Sequence, residues 1–324
     1  MKMENELRVL LTGGAGFIGS HFFNLLVNRK YVEKITLIDK MTYAANLKNI
    51  ENNLNDSRVE FIQGDICDSV LINKISKQHN VIINFAAESH VDRSIIDANS
   101  FVHANILGVQ NLLDCALQNQ VEKFIQISTD EVYGSKETGN FHESDGFNPN
   151  SPYAASKASA ELLARSYHKT YGLDVRVTRS CNNYGSFQYP EKVIPVFINS
   201  LLSGKKIPLY GNGKNIREWV HVEDNCLGIE SVLLKGKSGN TYNIGSGVEL
   251  SNFDLANKIL KILDYPPNSI EFVPDRKGHD FRYALSGEYM KKLGWEPKYD
   301  FNTRVEQMVK WTLKNDRWLK IRTT

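Results

Sequence analysis

The sequence of 324 residues is poor in the features that mark secreted, membrane-spanning or nucleic-acid-binding proteins. Its four cysteines, Cys67, Cys115, Cys181 and Cys226, are far apart and form no CxxC pair. That spacing argues against a disulfide framework and against structural zinc, so no metal site is expected and a reducing compartment fits. Neither sign of charge is in excess: 39 Lys and Arg face 37 Asp and Glu, the net charge is +2, and there is no long basic run. A nucleic-acid partner is therefore not expected. No apolar stretch reaches the ~20 residues needed to cross a bilayer. Residues 1–8 are charged and lack an apolar signal core, so a cytoplasmic protein without a membrane partner is the expectation. Internal repeats and low-complexity tracts are missing too. The length suits one large domain or two of ordinary size, with a substantial core.

What the sequence does contain begins at residues 7–11, Leu-Arg-Val-Leu-Leu, which read as a buried strand. A glycine-rich turn follows at once, Thr12-Gly13-Gly14-Ala15-Gly16-Phe17-Ile18-Gly19, and then Phe22, Phe23, Leu25 and Leu26 at helical spacing. A second strand over residues 35–38 ends at Asp39. Gly13, Gly16 and Gly19 form GxxGxxG, and glycines there let the backbone approach a pyrophosphate at a helix N-terminus. Asp39, 20 residues past Gly19, is placed to accept from adenosine ribose hydroxyls. Its charge would repel a 2′-phosphate, which favours NAD over NADP. The bland alternative is a glycine turn without a ligand.

The alternation continues. Residues 59–62 and 81–85 are strand runs, residues 70–77 and 101–118 are helical, and residues 124–127 form a further strand. Repeated units of this kind predict an α/β fold with a doubly wound, parallel, Rossmann-like sheet. Ligands in such sheets sit at the carboxyl ends of strands. Gly13 to Gly19, Asp65, Ala86 to His90 and Thr129 to Glu131 all fall at such ends. Asp130 and Glu131 stand out, because adjacent carboxylates at the end of a buried strand are costly unless they are used. A solvated loop pair is the alternative. Beyond them, Ser151-Pro152 opens a helix running to about Tyr171. Tyr153 and Lys157 share one face of it at i, i+4, and a lysine there is expected to lower the phenol's pKa, making it a base. An ordinary surface pair is again the alternative.

Thr12 to Gly19, Asn105 and the Tyr153/Lys157 pair resemble the extended short-chain dehydrogenases. Within these, the chain is similar to the nucleotide-sugar 4,6-dehydratases, above all their dTDP-glucose branch, nearly from end to end. The resemblance rests on AAESHVDRSI at 86–95, STDEVYG at 128–134, NNYG at 182–185, PEKVIP at 190–195, YNIG at 242–245 and GHD at 278–280. It implies a Rossmann domain over residues 1–185, with segments of about 219–245 returning to it. Residues 186–324 would be mainly a smaller α/β lid that binds the sugar nucleotide. The residues implied to hold NAD are Gly13, Gly16, Phe17, Ile18, Gly19, Asp39, Lys40, Thr42, Asp65 and Ile66 from the first half of the sheet. Phe85, Ala86, Ala87, Ser89, Asn105, Tyr153, Lys157 and Asn183 complete the set. The substrate would meet Ser89, His90, Thr129, Asn182, Lys192, Val193, Pro208 and Tyr210, then Arg217, Asn243, Asp275, Arg276 and His279. Arg217 is implied to grip the diphosphate.

The implied catalytic set is Thr129, Asp130, Glu131, Tyr153 and Lys157. Tyr153 would take the O4 proton while C4 gives hydride to NAD. Glu131 would then remove the C5 proton and protonated Asp130 would release the C6 hydroxyl, before hydride returns to C6. NAD would stay bound between turnovers, and the subunits would pair as a homodimer through helices at 101–118 and 153–171. dTDP-glucose is the expected donor, with UDP-glucose and UDP-N-acetylglucosamine open. A 4-epimerase, a dehydratase with added 5-epimerase activity and an NAD-binding scaffold without turnover are the rival readings. The chain departs from the dTDP-glucose branch at Ala104, at the order of Ser180-Cys181, at Glu218, at Lys277 and in a shorter stretch between Gly134 and Tyr153. Gly211-Asn212-Gly213-Lys214 has the wrong spacing and setting for a P-loop.

Overall fold

The computed structural model describes residues 6–319; residues 1–5, part of the charged N-terminal segment, and residues 320–324 lie outside the described residues. Strands and helices alternate as β1 (Leu7–Thr12), α1 (Phe17–Val27), β2 (Val32–Asp39), β3 (Val59–Gln63), α2 (Ser69–Ser76), β4 (Val81–Asn84), α3 (Val91–Ile96), α4 (Ala98–Val102), α5 (Gly108–Gln118), β5 (Lys123–Thr129), α6 (Pro152–Tyr171) and β6 (Val175–Ser180). The chain goes on through β7 (Asn182–Tyr184), α7 (Val193–Leu202), β8 (Ile207–Tyr210), β9 (Ile216–His221), α8 (Val222–Lys235), β10 (Thr241–Ile244), β11 (Glu249–Ser251), α9 (Asn252–Leu263), β12 (Ile270–Val273), α10 (Glu288–Lys292) and α11 (Phe301–Lys314).

Seven strands form one sheet in the order β10-β6-β5-β4-β1-β2-β3, every neighbouring pair parallel. This is the doubly wound sheet expected from the sequence. Alternate side chains of a strand face opposite ways, and the two faces accordingly bury different residues. Val9, Leu11, Val81 and Ile83 pack with α1 and α8 on one side. Leu10, Ile82 and Phe124 pack with α2, α5 and α6 on the other. The winding reverses between β1 and β4, which opens a crevice at their carboxyl ends. Thr12 there donates to Asn84 (2.6 Å) and Asn84 to Gln126 (3.0 Å), so a buried polar line ties β1, β4 and β5 together.

The later segments build a three-stranded sheet, β11-β9-β7, and a two-stranded one, β12-β8. A separate cluster around Tyr184, Trp219, Phe197, Leu255 and Val305 packs α7, α9 and α11 against them. One element departs from the sequence pattern. The helix expected over residues 101–118 is interrupted by a π-helical turn at His103–Leu107. At its centre the Asn105 amide accepts from the backbone N–H of Glu88 (2.9 Å) and donates to the Glu88 carbonyl (3.0 Å) and to Ser156 Oγ (2.8 Å). A widened turn of this kind lets a buried side chain reach a neighbouring loop.

Candidate active site

A cavity of about 320 Å³ lies at the carboxyl end of the sheet. One wall is the turn between β1 and α1. Gly13 has φ +67°, and a Cβ on it would stand 2.6 Å from the backbone N of Ala86. A Cβ on Gly19 would stand 2.3 Å from the Gly13 carbonyl oxygen. Helix α1 begins at Gly16 with no side-chain cap and no acidic residue in its first turn. An uncapped N-terminus of this kind presents free N–H groups to an anion. Asp39, at the end of β2, accepts from the N–H groups of Ala15 (3.0 Å) and Met41 (2.8 Å), which oppose the upward push of burial on its pKa. Lys40 pairs with Asp65 at 2.7 Å along the same rim. Ser128 Oγ, Asn183 Oδ1 and Gln188 Oε1 are buried with no hydrogen-bond partner among the described residues. A glycine cradle, a ribose-facing carboxylate and unsatisfied polar lining together fit a dinucleotide.

The opposite wall is the turn after β5. Thr129 caps it, its hydroxyl accepting from the N–H of Glu131 (3.3 Å) and donating to Asp130 Oδ1 (3.1 Å). Asp130 is 2% exposed and its Oδ2 is buried without a partner among the described residues. Burial raises its pKa well above the usual carboxylate range, and the charges of Glu131 and Glu218 push it further. Glu131, partly buried, is also raised by burial, but Arg276, Arg217 and Lys192 oppose the shift. Two adjacent carboxyls thus sit in different fields: both are raised by burial, Asp130 further by neighbouring carboxylates, while cations oppose the rise at Glu131.

Helix α6 brings in Tyr153 and Lys157. Ser151 caps it by accepting from the N–H of Ala154 (3.1 Å), with Pro152 in the first turn. Both side chains line the cavity, as the spacing predicts. The electrostatics differ from the expectation. Burial and the charge of Glu131 push the Tyr153 phenol upward, with a bond to Thr129 opposing. The Lys157 ammonium donates to the Ile127 carbonyl at 2.6 Å rather than to the phenol. Burial lowers Lys157 to about 8, against the pull of Glu161.

Of the residues predicted for the cofactor, all line this cavity except Asn105, whose amide is fully engaged with the Glu88 backbone and Ser156. Asn105 therefore shapes the loop rather than facing a ligand. Of those predicted for the substrate, Ser89, Thr129, Asn182 and Lys192 line it. Asn243 does not: it is fully buried, its Oδ1 accepts from Tyr133 (2.8 Å) and its Nδ2 donates to the Phe141 carbonyl (3.0 Å). His90 sits outside the lining, its Nε2 3.3 Å from the Glu191 carbonyl. Val193 and Pro208 also lie outside it. Tyr210, Asp275, Arg276 and His279 gather instead at a neighbouring cluster. His279 bonds Asp275 (2.7 Å), its ring meets Tyr210 edge-on (6.2 Å), and Arg276 approaches Asp92 (3.9 Å). Arg217 is held by the carbonyls of Ile216 (2.7 Å) and Asp280 (2.9 Å) and lies over the Tyr283 ring.

The lining also includes Glu88, Gln188, Tyr189 and Glu191, which the sequence reading passed over. Glu88 and Glu191 lie inside the AAESHVDRSI and PEKVIP motifs, and Gln188 and Tyr189 fall in the gap between NNYG and PEKVIP. Arg93 joins Glu191 (2.8 Å) and stacks on Tyr43 (3.8 Å), so this loop closes against the rim. Two departures from the resembled branch, Ala104 and Cys181, are on the cavity wall.

Comparison with known proteins follows from this geometry. The family GDP-mannose 4,6 dehydratase matches residues 10–308. A dTDP-glucose 4,6-dehydratase of Actinoplanes sp. is 46% identical over 320 residues, covering 96% of this chain and 99% of that one. The low-salt glycan biosynthesis protein Agl12 of Haloferax volcanii is 48% identical over 308 residues, covering 95% and 99%. The crystal structure of a dTDP-glucose 4,6-dehydratase from Streptomyces venezuelae, with NAD bound, has a TM-score of 0.94 at 46% identity, covering 97% of this chain and 99% of that one.

Proposed function

The chain belongs to the GDP-mannose 4,6-dehydratase family, and from that premise we propose that it is an NAD-dependent nucleoside-diphosphate-hexose 4,6-dehydratase acting on dTDP-glucose. The observation that carries the reading is the placement of two adjacent carboxyls, Asp130 and Glu131, both raised by burial, inside the cavity that also holds the glycine cradle and Tyr153. A 4-epimerase needs the cradle and the phenol but has no use for such a carboxyl couple.

NAD, when bound, takes hydride from sugar C4 and gives it back at C6. It would be held by Gly13, Gly16, Phe17, Ile18 and Gly19, with Asp39 at the ribose and Lys157 and Tyr153 at the reacting end. Tyr153 accepts the O4 proton in its phenolate form, which burial opposes and the bond from Thr129 favours. The ketone that results at C4 acidifies the C5 proton. Glu131 removes it: burial raises its basicity, against the opposing charges of Arg276, Arg217 and Lys192, and a raised carboxylate is the stronger general base. Asp130 donates its proton to the departing C6 hydroxyl. Its Oδ1 is fixed by Thr129, so the proton is directed from Oδ2, the oxygen without a partner among the described residues.

Lys192, Arg217 and Arg276 supply positive charge for the diphosphate, supported by their shared reach to Glu131. Tyr210, Asp275 and His279 border the nucleotide. The division into a Rossmann domain (1–185, with about 219–245) and a sugar-nucleotide-binding remainder is supported by the packing of α8 and β10 with the central sheet and by the separate cluster around Phe197, Leu255 and Val305. A homodimer through the α4–α5 segment and α6 is supported by the exposed side chains of Val102, Leu107 and Leu162. Among the described residues no helix is long and apolar enough to cross a membrane, and free cysteines suit a cytoplasmic enzyme. Mass spectrometry of products from dTDP-, UDP-, GDP- and CDP-glucose tests the proposal. The expected result is a product one water lighter, formed fastest from dTDP-glucose. Products of unchanged mass would replace the reading with epimerisation.

A further inference from the structure

Behind the catalytic helix face lies an ion pair that the mechanism does not use. Tyr153, Lys157 and Glu161 are spaced i, i+4, i+8 on the buried face of α6. Glu161 is completely buried, and its carboxylate accepts a forked pair of bonds from Arg179, at 3.0 Å from Nε and 2.6 Å from Nη2. Arg179 is 1% exposed. It comes from β6, in register with Ser128 of β5 on one side and Asn243 of β10 on the other. Its guanidinium lies 4.5 Å from the centre of the Tyr133 ring and 4.8 Å from that of Phe147. Tyr133 ends the turn that carries Asp130 and Glu131, stacks on Phe141 (4.7 Å, 5°) and donates to Asn243. One buried pair therefore touches the acidic turn through Tyr133 and places its carboxylate one helical turn beyond Lys157.

Stability does not explain it. Burying both ions removes their hydration, and well-packed apolar side chains in their place are often as stable or more so. A charged pair kept two helical turns from the phenol calls for another role. We propose that Glu161 and Arg179 are positioning residues, Arg179 clamping the acidic turn through Tyr133 and Glu161, one turn along α6 from Lys157, anchoring Arg179 and facing the lysine with its carboxylate. The proposal rests on the dehydratase reading for its rate effects. The groups around Lys157 are Tyr153 and Glu161 on its own helix, Asp130 and Glu131 from the turn after β5, and Arg179 behind Glu161 on β6. Its Nζ bonds a neutral carbonyl, so Glu161 is the anion that favours its charged form. Without Glu161, Lys157 and Arg179 would be two buried cations with no carboxylate between them.

The test uses the NAD-loaded protein. In E161M/R179M, apolar chains of similar length replace the pair. Its melting temperature and NAD content are expected to stay at wild-type levels, while kcat for dTDP-glucose falls by about a hundredfold, the loss that small misplacement of a reacting group produces, with KM little changed. Wild-type kcat in this folded variant would overturn the clamp. If the double variant does not fold, R179K decides the same point: it keeps the charge but loses the fork and the flat stack, so kcat falls and KM holds, and an unchanged kcat overturns the proposal. Side-chain nitrogen NMR of lysine-labelled protein follows Lys157 separately. E161Q is expected to lower its titration point, and an unshifted titration would overturn the role of Glu161. That readout needs no turnover, so a wild type inactive on every sugar nucleotide would refute the dehydratase reading while the titration still decides this one.

Discussion

Asp130→Asn isolates the general acid. The amide is isosteric and keeps an oxygen to accept from Thr129 Oγ1, now 3.1 Å from Oδ1. What it lacks is a proton to give to the C6 hydroxyl. A positioned general acid contributes roughly 10²–10⁴ in rate, about 2.7–5.4 kcal/mol of barrier. Formation of the 4-keto-6-deoxy sugar should fall by that factor, followed by chromatography of the sugar nucleotide. Oxidation at C4 does not need this proton, so reduced cofactor should accumulate, visible by its absorbance. Stability should move the other way. The folded-state pKa of Asp130 is raised above its unfolded value by burial and by Glu131 and Glu218. The stability contributed by Asp130 is therefore fully present below its unfolded pKa and is lost as pH rises through the raised value. Asparagine removes that slope, so the melting temperature of the variant relative to wild type should climb with pH. A variant with wild-type turnover, or one whose relative stability drops as pH rises, would refute the reasoning.

Glu131→Gln should abolish C5 deprotonation, leaving C4 oxidation and stopping exchange of the C5 hydrogen with solvent; exchange at the wild-type rate would remove Glu131 from its role. Gly13→Ala places a Cβ 2.6 Å from the Ala86 backbone at φ +67°, a strain of about 1–2 kcal/mol from the left-handed backbone alone, so the purified variant should carry little NAD by absorbance ratio. Lys157 loses its charge above about pH 8, so kcat/KM should decline above that pH, and Lys157→Arg, which stays charged, should move the decline upward in a pH–rate series.

Much of the fold was legible because the sheet repeats one unit whose apolar runs are unbroken. Strand runs at 7–11, 59–62, 81–85 and 124–127 each lie within a residue or two of the observed strands. The π-helical turn at His103–Leu107 was not legible, since apolar spacing is nearly the same through it and its cause is Asn105 reaching across to Glu88 and Ser156. Cavity residues at strand ends were readable from position. Gln188 and Tyr189 were not, because their loop is placed by distant contacts: His21 to the Ser186 carbonyl (3.0 Å), Phe187 against Trp311 (5.3 Å) and Glu191 to Arg93. Asn243 shows the converse: its neighbours in sequence look like site residues, but Tyr133 and Phe141 satisfy its amide inside the fold. Lys157 likewise has the right spacing, while the Ile127 carbonyl that engages it comes from another strand.

The most direct measurement is the fate of a label. With dTDP-glucose carrying deuterium at C4, the product should be one water lighter and hold the deuterium in its C6 methyl group, read by mass spectrometry and NMR. A product of unchanged mass with the deuterium still at C4, or one whose label had passed to solvent, would contradict the proposal that a hydride taken at C4 and returned at C6 brackets elimination by Glu131 and Asp130.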